Sequence, residues 1–364
     1  MSLPTVQVVT NEQDLLRLRP AWDDLYARAH QPFVSQSFEW VWCVWKNLMH
    51  EGPLRCIFIW QDGRLVLVWP AAIVRYHCFW TAEVPLATAG DYIDFLAEMS
   101  PESATYAQLA WQNRSRKADF TLISRVRVCS LLHQVLAREE AKPVQHLPAR
   151  YVDWRQFTDW NAYYRNLSER RSIERRRRRL LEVGNVSFKA TDDINEVQAL
   201  SRWMLHHKQI WLTARGGQSP WVGSKRYQKF LQSIPEELNK SGHMVAFLLL
   251  LDDKRVAVTM GVVGTSRLIL LHNADDQEFR QFSPQHLLTI RVLEWACERG
   301  LIVDFCFGAE GYKVGFAPSN CPVQDYRFPN SKFGELHEFL MSQKSAQKAI
   351  RLRRFVRQPS IVRE

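Results

Sequence analysis

The sequence has 364 residues, of which 46% are hydrophobic and 12% aromatic, and this predicts a folded protein with two domains of ordinary size. The longest apolar run, residues 244–251, is far shorter than the ~20 residues of a membrane helix, and the chain opens without a basic-then-apolar leader. We therefore expect a soluble cytoplasmic protein, with a peripheral position at the inner membrane face left open. The formal net charge of +10 implies anionic partners.

The first 150 residues predict one α+β domain. Its predicted elements are a helix over 12–30, strands over 54–60 and 64–74, and a strand-to-helix change over 125–140. Asp62 and Gly63 separate the two strands and form a strong hairpin signal. The segment 142–149, with its two prolines, is the predicted seam between domains 1–150 and 151–340.

The second half has a clearer pattern. The predicted elements are helices over 159–183 and 194–211, then strands over 243–251, 255–263 and 267–274 that form an antiparallel meander. Ser283 and Pro284 open the next helix as N-cap and first helical residue, and Gly300 closes it. A strand over 301–307 follows, and residues 341–364 form a basic C-terminal tail.

Cysteine and histidine show no metal-ligand spacing. The seven cysteines are scattered, and several lie inside apolar runs. We therefore expect free thiols in a reducing compartment and no bound metal.

The stretch DFCFGAEGYKVGF, residues 304–316, places polar and glycine residues directly after a strand. The preceding helix begins at Ser283, and unpaired N–H groups at a helix start form an anion site. This order of strands and helices resembles the core of the GNAT acyltransferase fold. In that fold the fourth and fifth strands splay and admit the pantetheine arm of acyl-CoA, while the helix between them presents its N-terminus to the pyrophosphate.

Several motifs are similar to those of the CelD/BcsL-type acetyltransferases of cellulose and exopolysaccharide synthesis. The resemblance covers residues 22–316, and its most specific pieces are His207 with Trp211 and the run from Glu310 to Lys313. That family is related to the FemAB aminoacyltransferases. The resemblance implies an α+β fold of tandem GNAT-like domains, each a mostly antiparallel sheet flanked by helices, with a degenerate N-terminal domain. This chain departs from the pattern in having Gln285 where the family places Gly, and in lacking an Arg-x-x-Gly-x-Gly/Ala run.

The resemblance implies a set of site residues. Tyr312 is the candidate acid that protonates the departing thiolate, and Glu310 or His207 is the candidate base. The expected acyl-CoA contacts are Ser283, Gln285, His286, Leu287 and Asn273. The expected substrate contacts are Lys313, Trp211, His272, Asp304 and Arg177.

Some of these residues keep a structural alternative. Asp304 alternates with apolar neighbours inside a strand, so a structural hydrogen bond is as plausible as a catalytic role. His207 and Trp211 share a helix face, either as a wall of the acceptor cleft or as a histidine packed on tryptophan. His272 ends a strand on the same side as apolar residues, which favours a buried, hydrogen-bonded histidine.

Basic residues concentrate in two places. Arg175 to Arg179 are consecutive and therefore surround their helix, and Arg177 falls near the stripe marked by Ile173 and Leu180. Arginine suits bidentate phosphate contacts, so this helix predicts a phosphate, diphosphate, membrane or tRNA partner. The second patch lies within residues 344–357. No groove-reading motif accompanies either patch, so DNA is not an expected partner.

These observations predict an enzyme that transfers an acetyl or other acyl group from acyl-CoA to an amine or hydroxyl of a sugar or polysaccharide precursor. One alternative is a FemAB-like enzyme that uses aminoacyl-tRNA. The other is a non-catalytic GNAT-like scaffold that binds anionic lipid or partner proteins through the basic patches.

Overall fold

The computed structural model describes residues 2–76, 80–90, 92–214, 216, 222–239 and 243–342, and the chain divides into two compact units. The first unit comprises Met1–His146 and Val323–Glu364, and the second comprises Leu147–Pro322. Most of the predicted basic tail, residues 343–364, lies outside the described residues. Every helix in the described part is too short or too polar to cross a membrane.

The strands are as follows: β1 (Thr5–Val9), β2 (Cys56–Gln61), β3 (Arg64–Trp69), β4 (Ala71–Tyr76), β5 (Trp80–Pro85), β6 (Leu96–Ala97), β7 (Phe120–Arg127), β8 (Pro143–Leu147), β9 (Ala149–Val152), β10 (Val186–Thr191), β11 (Met244–Leu251), β12 (Lys254–Val263), β13 (Arg267–Asp275), β14 (Ile302–Phe307), β15 (Ser319–Asn320) and β16 (Val323–Pro329). The helices are as follows: α1 (Glu12–Arg17), α2 (Arg19–Arg28), α3 (Phe38–Val44), α4 (Ser103–Gln112), α5 (Leu131–Arg138), α6 (Trp160–Arg165), α7 (Arg170–Leu181), α8 (Ile194–Ala214), α9 (Lys225–Asn239), α10 (Pro284–Cys297), α11 (Gly311–Phe316) and α12 (Lys332–Ser342). Short 3-10 turns occupy Val34–Gln36, Trp154–Gln156 and Gln277–Phe282, and Trp45–Met49 form a π-helical turn.

The first unit contains two sheets. One has the strand order β1-β2-β3-β6, and the other has the order β4-β5-β7-β16-β8. A buried core of aliphatic and aromatic side chains, including Trp69 and Trp111, packs beneath α4 and α5. Strands β5 and β7 are parallel, and α4 lies between them in the chain.

The second unit contains one seven-stranded sheet with the order β10-β11-β12-β13-β14-β9-β15. Strands β10 to β13 are antiparallel neighbours, whereas β13 and β14 are parallel and connected through α10. Buried side chains of β11, α10 and β14, with Phe247 and Leu288 among them, form the core. Each unit thus combines mostly antiparallel strands, in two sheets in the first unit and one in the second, with one parallel pair joined through a helix, and this is the predicted α+β fold.

The sequence predictions hold for the meander and for the hairpin between β2 and β3. Asp62 and Gly63 both have positive φ, at 50° and 76°, as the tight hairpin turn requires. Two predicted elements are divided. The run 64–74 breaks at Pro70 into β3 and β4, which join different sheets, since proline cannot donate to a sheet ladder. The predicted helix 159–183 is two helices, α6 and α7.

The position of β16 differs from the predicted domain limits. The sequence predicts a second domain over 151–340, but β16 pairs with β7, with Tyr326 opposite Ile123. Tyr326 is buried in the core of the first unit. Sequence pattern shows that a segment forms a strand but not which sheet accepts it.

Candidate active site

The parallel strands β13 and β14 separate partway along their length. Their pairing is limited to Arg267–Ile269 of β13 against Ile302–Asp304 of β14. Beyond this point β13 continues beside β12, whereas Phe307 of β14 pairs with Ala149 of β9. A register shift opposite Met260 and Gly261 adds a bulge on β13. The structure therefore has the splay that the GNAT resemblance implies.

Helix α10 and the two separating strands enclose a cavity at the splay. The cavity is lined by Thr259, Leu270, Asn273, Gln285, Thr289, Val292, Phe305 and Tyr312. Three of these residues, Asn273, Gln285 and Tyr312, are predicted site residues. Gln285 Nε2 donates to Thr259 Oγ1 at 2.6 Å, while its Oε1 is buried without a hydrogen-bond partner among the described residues. The cavity thus offers an acceptor to a donor from outside the chain.

Tyr312 has the environment of a protonated phenol. Burial raises the pKa of Tyr312 to about 12, against a smaller lowering by a side-chain hydrogen bond with Asn273. His286 lies at its ring edge, with 6.0 Å between ring centroids and 81° between planes. Burial and the charge of Arg176 lower the pKa of His286, so the imidazole is neutral at pH 7. Tyr312 therefore holds its proton at neutral pH.

Lys313 is held by its own loop. Its ammonium donates to the carbonyl of Phe307 at 2.7 Å and lies 3.1 Å from Glu310 Oε2. Gly308 adopts φ of 130°, and a Cβ there would lie 2.1 Å from Glu310 Oε2. Lys313 is only 6% exposed, so its charge stabilises the turn after β14 and positions Glu310.

Lys208 is a residue of this region that the sequence analysis missed. It lies on α8, next to His207, and is half-buried. Burial lowers the pKa of Lys208. The charge of Glu310 raises this pKa, and the charge of Lys313 lowers it further. It forms no hydrogen bond or ion pair with the part of the chain that the structure describes. The signal in the sequence is the lysine inside the motif HHKQIW, between His207 and Trp211.

His207 lies in a different environment from Tyr312. Its ring stacks on Trp203 with 3.9 Å between centroids. Burial lowers its pKa, and the nearby charges come from the chain around Asp276, His206, Lys254 and Glu278. Its Nδ1 is buried without a hydrogen-bond partner among the described residues, and Trp211 is 37% exposed. The ring packing therefore agrees with the structural alternative for His207, in which the histidine packs on a tryptophan. That tryptophan is Trp203, one helical turn before His207, and not Trp211.

His272 and Asp304 are held by structural hydrogen bonds. The hydroxyl of Tyr227 lies 2.6 Å from His272 Nε2. Asp304 is 1% exposed and accepts from Arg267 Nη1 at 2.7 Å and from the backbone N–H of Cys306 at 2.9 Å. Both observations agree with the structural alternatives.

The start of α10 differs in detail from the predicted cap. Ser283 occupies the N-cap position in the left-handed region, at φ 49° and ψ 57°, and its side chain makes no capping hydrogen bond. Its carbonyl accepts from the N–H groups of His286 and Leu287. The Leu287 side chain is buried and its N–H is bonded to Ser283, and Pro284 has no N–H, so the backbone donor left at this helix start is the N–H of Gln285. An anion bound here would therefore also need donors from side chains of other elements.

Helix α7 supplies such side chains, but with a correction to the predicted residue. Arg177 is exposed, whereas Arg176 is half-buried, and its Nη1 is buried with no partner among the described residues. The guanidinium of Arg179 lies 5.7 Å from the ring centroid of Phe282, just before α10. Arg176 and Arg177 stand roughly 50° to either side of the buried stripe, and α10 packs on the side of Arg176.

Comparisons with known proteins agree with this geometry. Residues 168–314 match the family of acetyltransferase (GNAT) domains. No curated protein has significant sequence similarity to the chain. The crystal structure of FemX is similar over 92% of this chain and 99% of that one, with a TM-score of 0.62 and 13% identity. A conserved protein of unknown function from Bacteroides thetaiotaomicron VPI-5482 is similar over 89% of this chain and 99% of that one, with a TM-score of 0.54 and 12% identity.

At such low identity these structural likenesses establish the fold alone. The chain shares its fold with FemX, and residues 168–314 match a GNAT acetyltransferase domain. The chain is accordingly an acyltransferase.

Proposed function

We propose that the chain transfers an acetyl or other acyl group from acyl-CoA to an amine or hydroxyl of a sugar or polysaccharide precursor, as the CelD/BcsL resemblance implies. The observation that carries this proposal is the position of Tyr312 in the cavity where β13 and β14 separate, and burial there raises the pKa of its phenol to about 12.

The donor would enter the splay as an additional strand. The pantetheine arm of CoA carries two amides, which can pair with strand backbone groups that the separation of β13 and β14 leaves available. The unpartnered Oε1 of Gln285 can accept from one of these amides. The thioester would then lie near Tyr312.

The diphosphate of CoA would lie at the start of α10. The backbone N–H of Gln285 and the half-buried guanidinium of Arg176 supply donors, and Arg179 adds positive charge beside Phe282. In this proposal the arginines of α7 replace the glycine-rich phosphate loop that the sequence lacks.

The reaction would proceed by direct attack in a ternary complex. The acceptor nitrogen or oxygen forms a bond to the thioester carbonyl carbon and loses its proton to Glu310. The carbon–sulfur bond breaks, and Tyr312 donates its proton to the departing thiolate. The buried Lys313 holds Glu310 in place, and the half-buried Lys208 adds a cation to the acceptor side.

Calorimetric titration with acetyl-CoA tests the donor. We expect micromolar affinity for acetyl-CoA and CoA and much weaker affinity for adenosine diphosphate, because the pantetheine arm fills the splay. Amino sugars would then be screened as acceptors by release of free thiol. No heat and no competition at millimolar ligand would contradict the proposal.

The FemAB-like alternative is favoured by one observation, the exposure of Arg175, Arg177 and Arg178 on α7. Exposed arginines can contact the phosphates of aminoacyl-tRNA. Such binding would weaken steeply with salt, with a slope that counts the neutralised phosphates. A filter-binding titration of aminoacyl-tRNA at several salt concentrations, with CoA as competitor, distinguishes the two donors.

A further inference from the structure

The side chains that line the cavity at the splay differ in burial. Four of them are at most 5% exposed and form its floor: Thr259, Thr289, Val292 and Phe305. The other four are partly exposed and form its mouth: Leu270, Asn273, Gln285 and Tyr312. The phenol of Tyr312 therefore lies at the mouth, and a group that enters past it meets the floor.

The floor offers apolar groups to a ligand. Thr289 Oγ1 donates to the carbonyl of Gln285 at 2.8 Å, and Thr259 Oγ1 accepts from Gln285 Nε2 at 2.6 Å. Both threonine hydroxyls are thus engaged, which leaves Val292 and Phe305 as the main contacts. Among the described residues that line the cavity, none is charged. An uncharged group fits this floor, because a charged one would lose its hydration without gaining a partner.

A bulge in β13 adds an apolar side wall. The pairing of this strand with β12 passes from His272 to Leu270 between adjacent residues of β12, so Leu271 is an extra residue. In a regular strand, residues three apart point to opposite faces of the sheet. Here Leu270 and Asn273 both line the cavity. The bulge therefore turns Leu270 toward the space beside Tyr312.

The floor is tightly packed from behind. The ring of Phe305 stacks on Phe316, with 6.2 Å between centroids and 5° between planes, and Phe316 is itself buried. Val292 belongs to the core of the second unit, and a β-branched side chain on a helix has one strongly preferred rotamer. A longer group could enter only by displacing these side chains, and overpacking of a core is unfavourable.

The free space above this floor is small. The cavity has a volume of about 20 Å³, and roughly 10–15 Å³ is enough for one water molecule. A single methyl group is comparable in size to a water molecule. The cavity therefore has room for the end of a short acyl group and little more.

We propose that Val292 and Phe305, with Leu270 as the side wall, restrict the donor to a short uncharged acyl group, acetyl or propionyl. The inference rests on the proposed function, in which the thioester lies beside Tyr312, so that its acyl carbon chain points from the mouth to the floor. Each further methylene then meets packed side chains, and one methylene in an apolar pocket changes selectivity by on the order of tenfold or more. An aminoacyl group fits less well, because its ammonium would lack a carboxylate partner at the floor.

Calorimetric titration of the full-length chain with CoA and with acetyl-, butyryl- and hexanoyl-CoA tests the proposal. We expect similar affinities for CoA and acetyl-CoA, with butyryl-CoA bound at least about tenfold more weakly and hexanoyl-CoA more weakly still. Val292→Ala deepens the floor and should bring the affinity for butyryl-CoA close to that for acetyl-CoA. The matched control is Val256→Ala, which removes the same atoms from a fully buried valine of the same core outside the cavity. This control should keep the wild-type order of affinities.

A second variant, Leu270→Ala, widens the side wall and should also improve butyryl-CoA binding. Equal wild-type affinities for all chain lengths, with CoA itself bound, would overturn this inference and leave the proposed donor in place. An unchanged length preference in both cavity variants, each melting cooperatively, would overturn the assignment to these residues. Absence of any CoA binding would instead overturn the proposed function, and this inference with it.

Discussion

The proposed chemistry depends on the phenol of Tyr312, which donates a proton to the departing thiolate. Replacing Tyr312 by Phe removes the acid but keeps the ring beside His286. We expect kcat to fall by about 10²-fold while the affinity for CoA changes little, because general acid catalysis contributes on that order. Steady-state kinetics and calorimetric titration measure the two quantities. Tyr164→Phe, a half-buried tyrosine stacked on Trp160, is the control, and equal kinetics for both variants would remove the acid role.

The pH dependence follows from the direction of the Tyr312 shift. Burial raises its pKa to about 12, so the protonated form that donates to the thiolate persists from acid to strongly alkaline pH. The kcat of the wild type should therefore show no loss from deprotonation of Tyr312 between pH 6 and about pH 10. An alkaline decline within that range that disappears in Tyr312→Phe would show that its phenol ionises earlier than its burial implies.

Lys208 offers a second test among single residues, because the charge of Glu310, the proposed base, acts on it. Lys208→Met keeps most of the side-chain volume and removes the charge. We expect kcat/KM for the acceptor to fall by about tenfold with unchanged acetyl-CoA affinity, as for loss of one charge-assisted contact. Lys229→Met, an exposed lysine on α9, is the matched control. Equal acceptor kinetics in the two variants would assign Lys208 to packing alone.

Helix α7 presents the neighbouring arginines of its block to different surroundings, so single substitutions on this helix can be compared. Arg176→Ala should weaken CoA binding by about tenfold, because it removes a half-buried donor beside the start of α10. Arg177→Ala changes the same residue type on the exposed side and should change CoA affinity little. Titration of both variants with CoA and with dephospho-CoA measures the effect. Equal losses would indicate a long-range charge effect instead of a contact.

The choice between these two arginines shows how far sequence reasoning extends. Helical periodicity identifies the stripe of Ile173 and Leu180 and the ring of arginines around it. It cannot decide between Arg176 and Arg177, since they flank the stripe equally and the packing partner α10 is more than 100 residues away in the chain. Packing between segments that are distant in the chain determines which of the two arginines is buried.

The elements of the site divide in the same way. The meander β11 to β13, the start of α10 and the strand β14 are predictable, because apolar runs, a Ser-Pro pair and a closing glycine mark them locally. The insertion of β9 between β14 and β15 is not predictable, since strand pairing between distant segments leaves no local signal. The same reason explains why Lys208 is not predictable from sequence, since only the fold brings it within range of the charge of Glu310.

The two units of the molecule differ in what their buried polar groups do. The first unit has a parallel pair, β5 and β7, and two buried side chains meet there. They are Trp69 of β3 and Glu83 of β5, whose carboxyl is fully buried. Glu83 accepts from Trp69 Nε1 at 3.3 Å and from the N–H of Ser115, and burial raises its pKa. A carboxyl buried and hydrogen-bonded in this way serves structure, and the residues that match a GNAT domain, 168–314, lie in the second unit.

The division of the chain leads to a prediction about independent folding. The second unit is the continuous segment Leu147–Pro322 and contains its whole seven-stranded sheet and core, so it should fold alone. The first unit is discontinuous, because β16 lies between β7 and β8 in its five-stranded sheet. A fragment of residues 1–146 therefore has a gap in that sheet, and the hydrogen bond from Arg114 Nε to Asn330 is lost as well.

Three fragments test this division by circular dichroism and thermal melting. We expect cooperative melting and CoA binding for residues 147–322, and no cooperative melting for residues 1–146. Joining residues 323–342 to residue 146 through a short glycine-serine linker should restore cooperative melting. The linker can be short, because the side chains of His146 and Gln324 lie 3.2 Å apart. If residues 1–146 melt at the same temperature with and without the joined segment, β16 contributes nothing to the stability of the first unit, and its place in the sheet is not what holds that unit together.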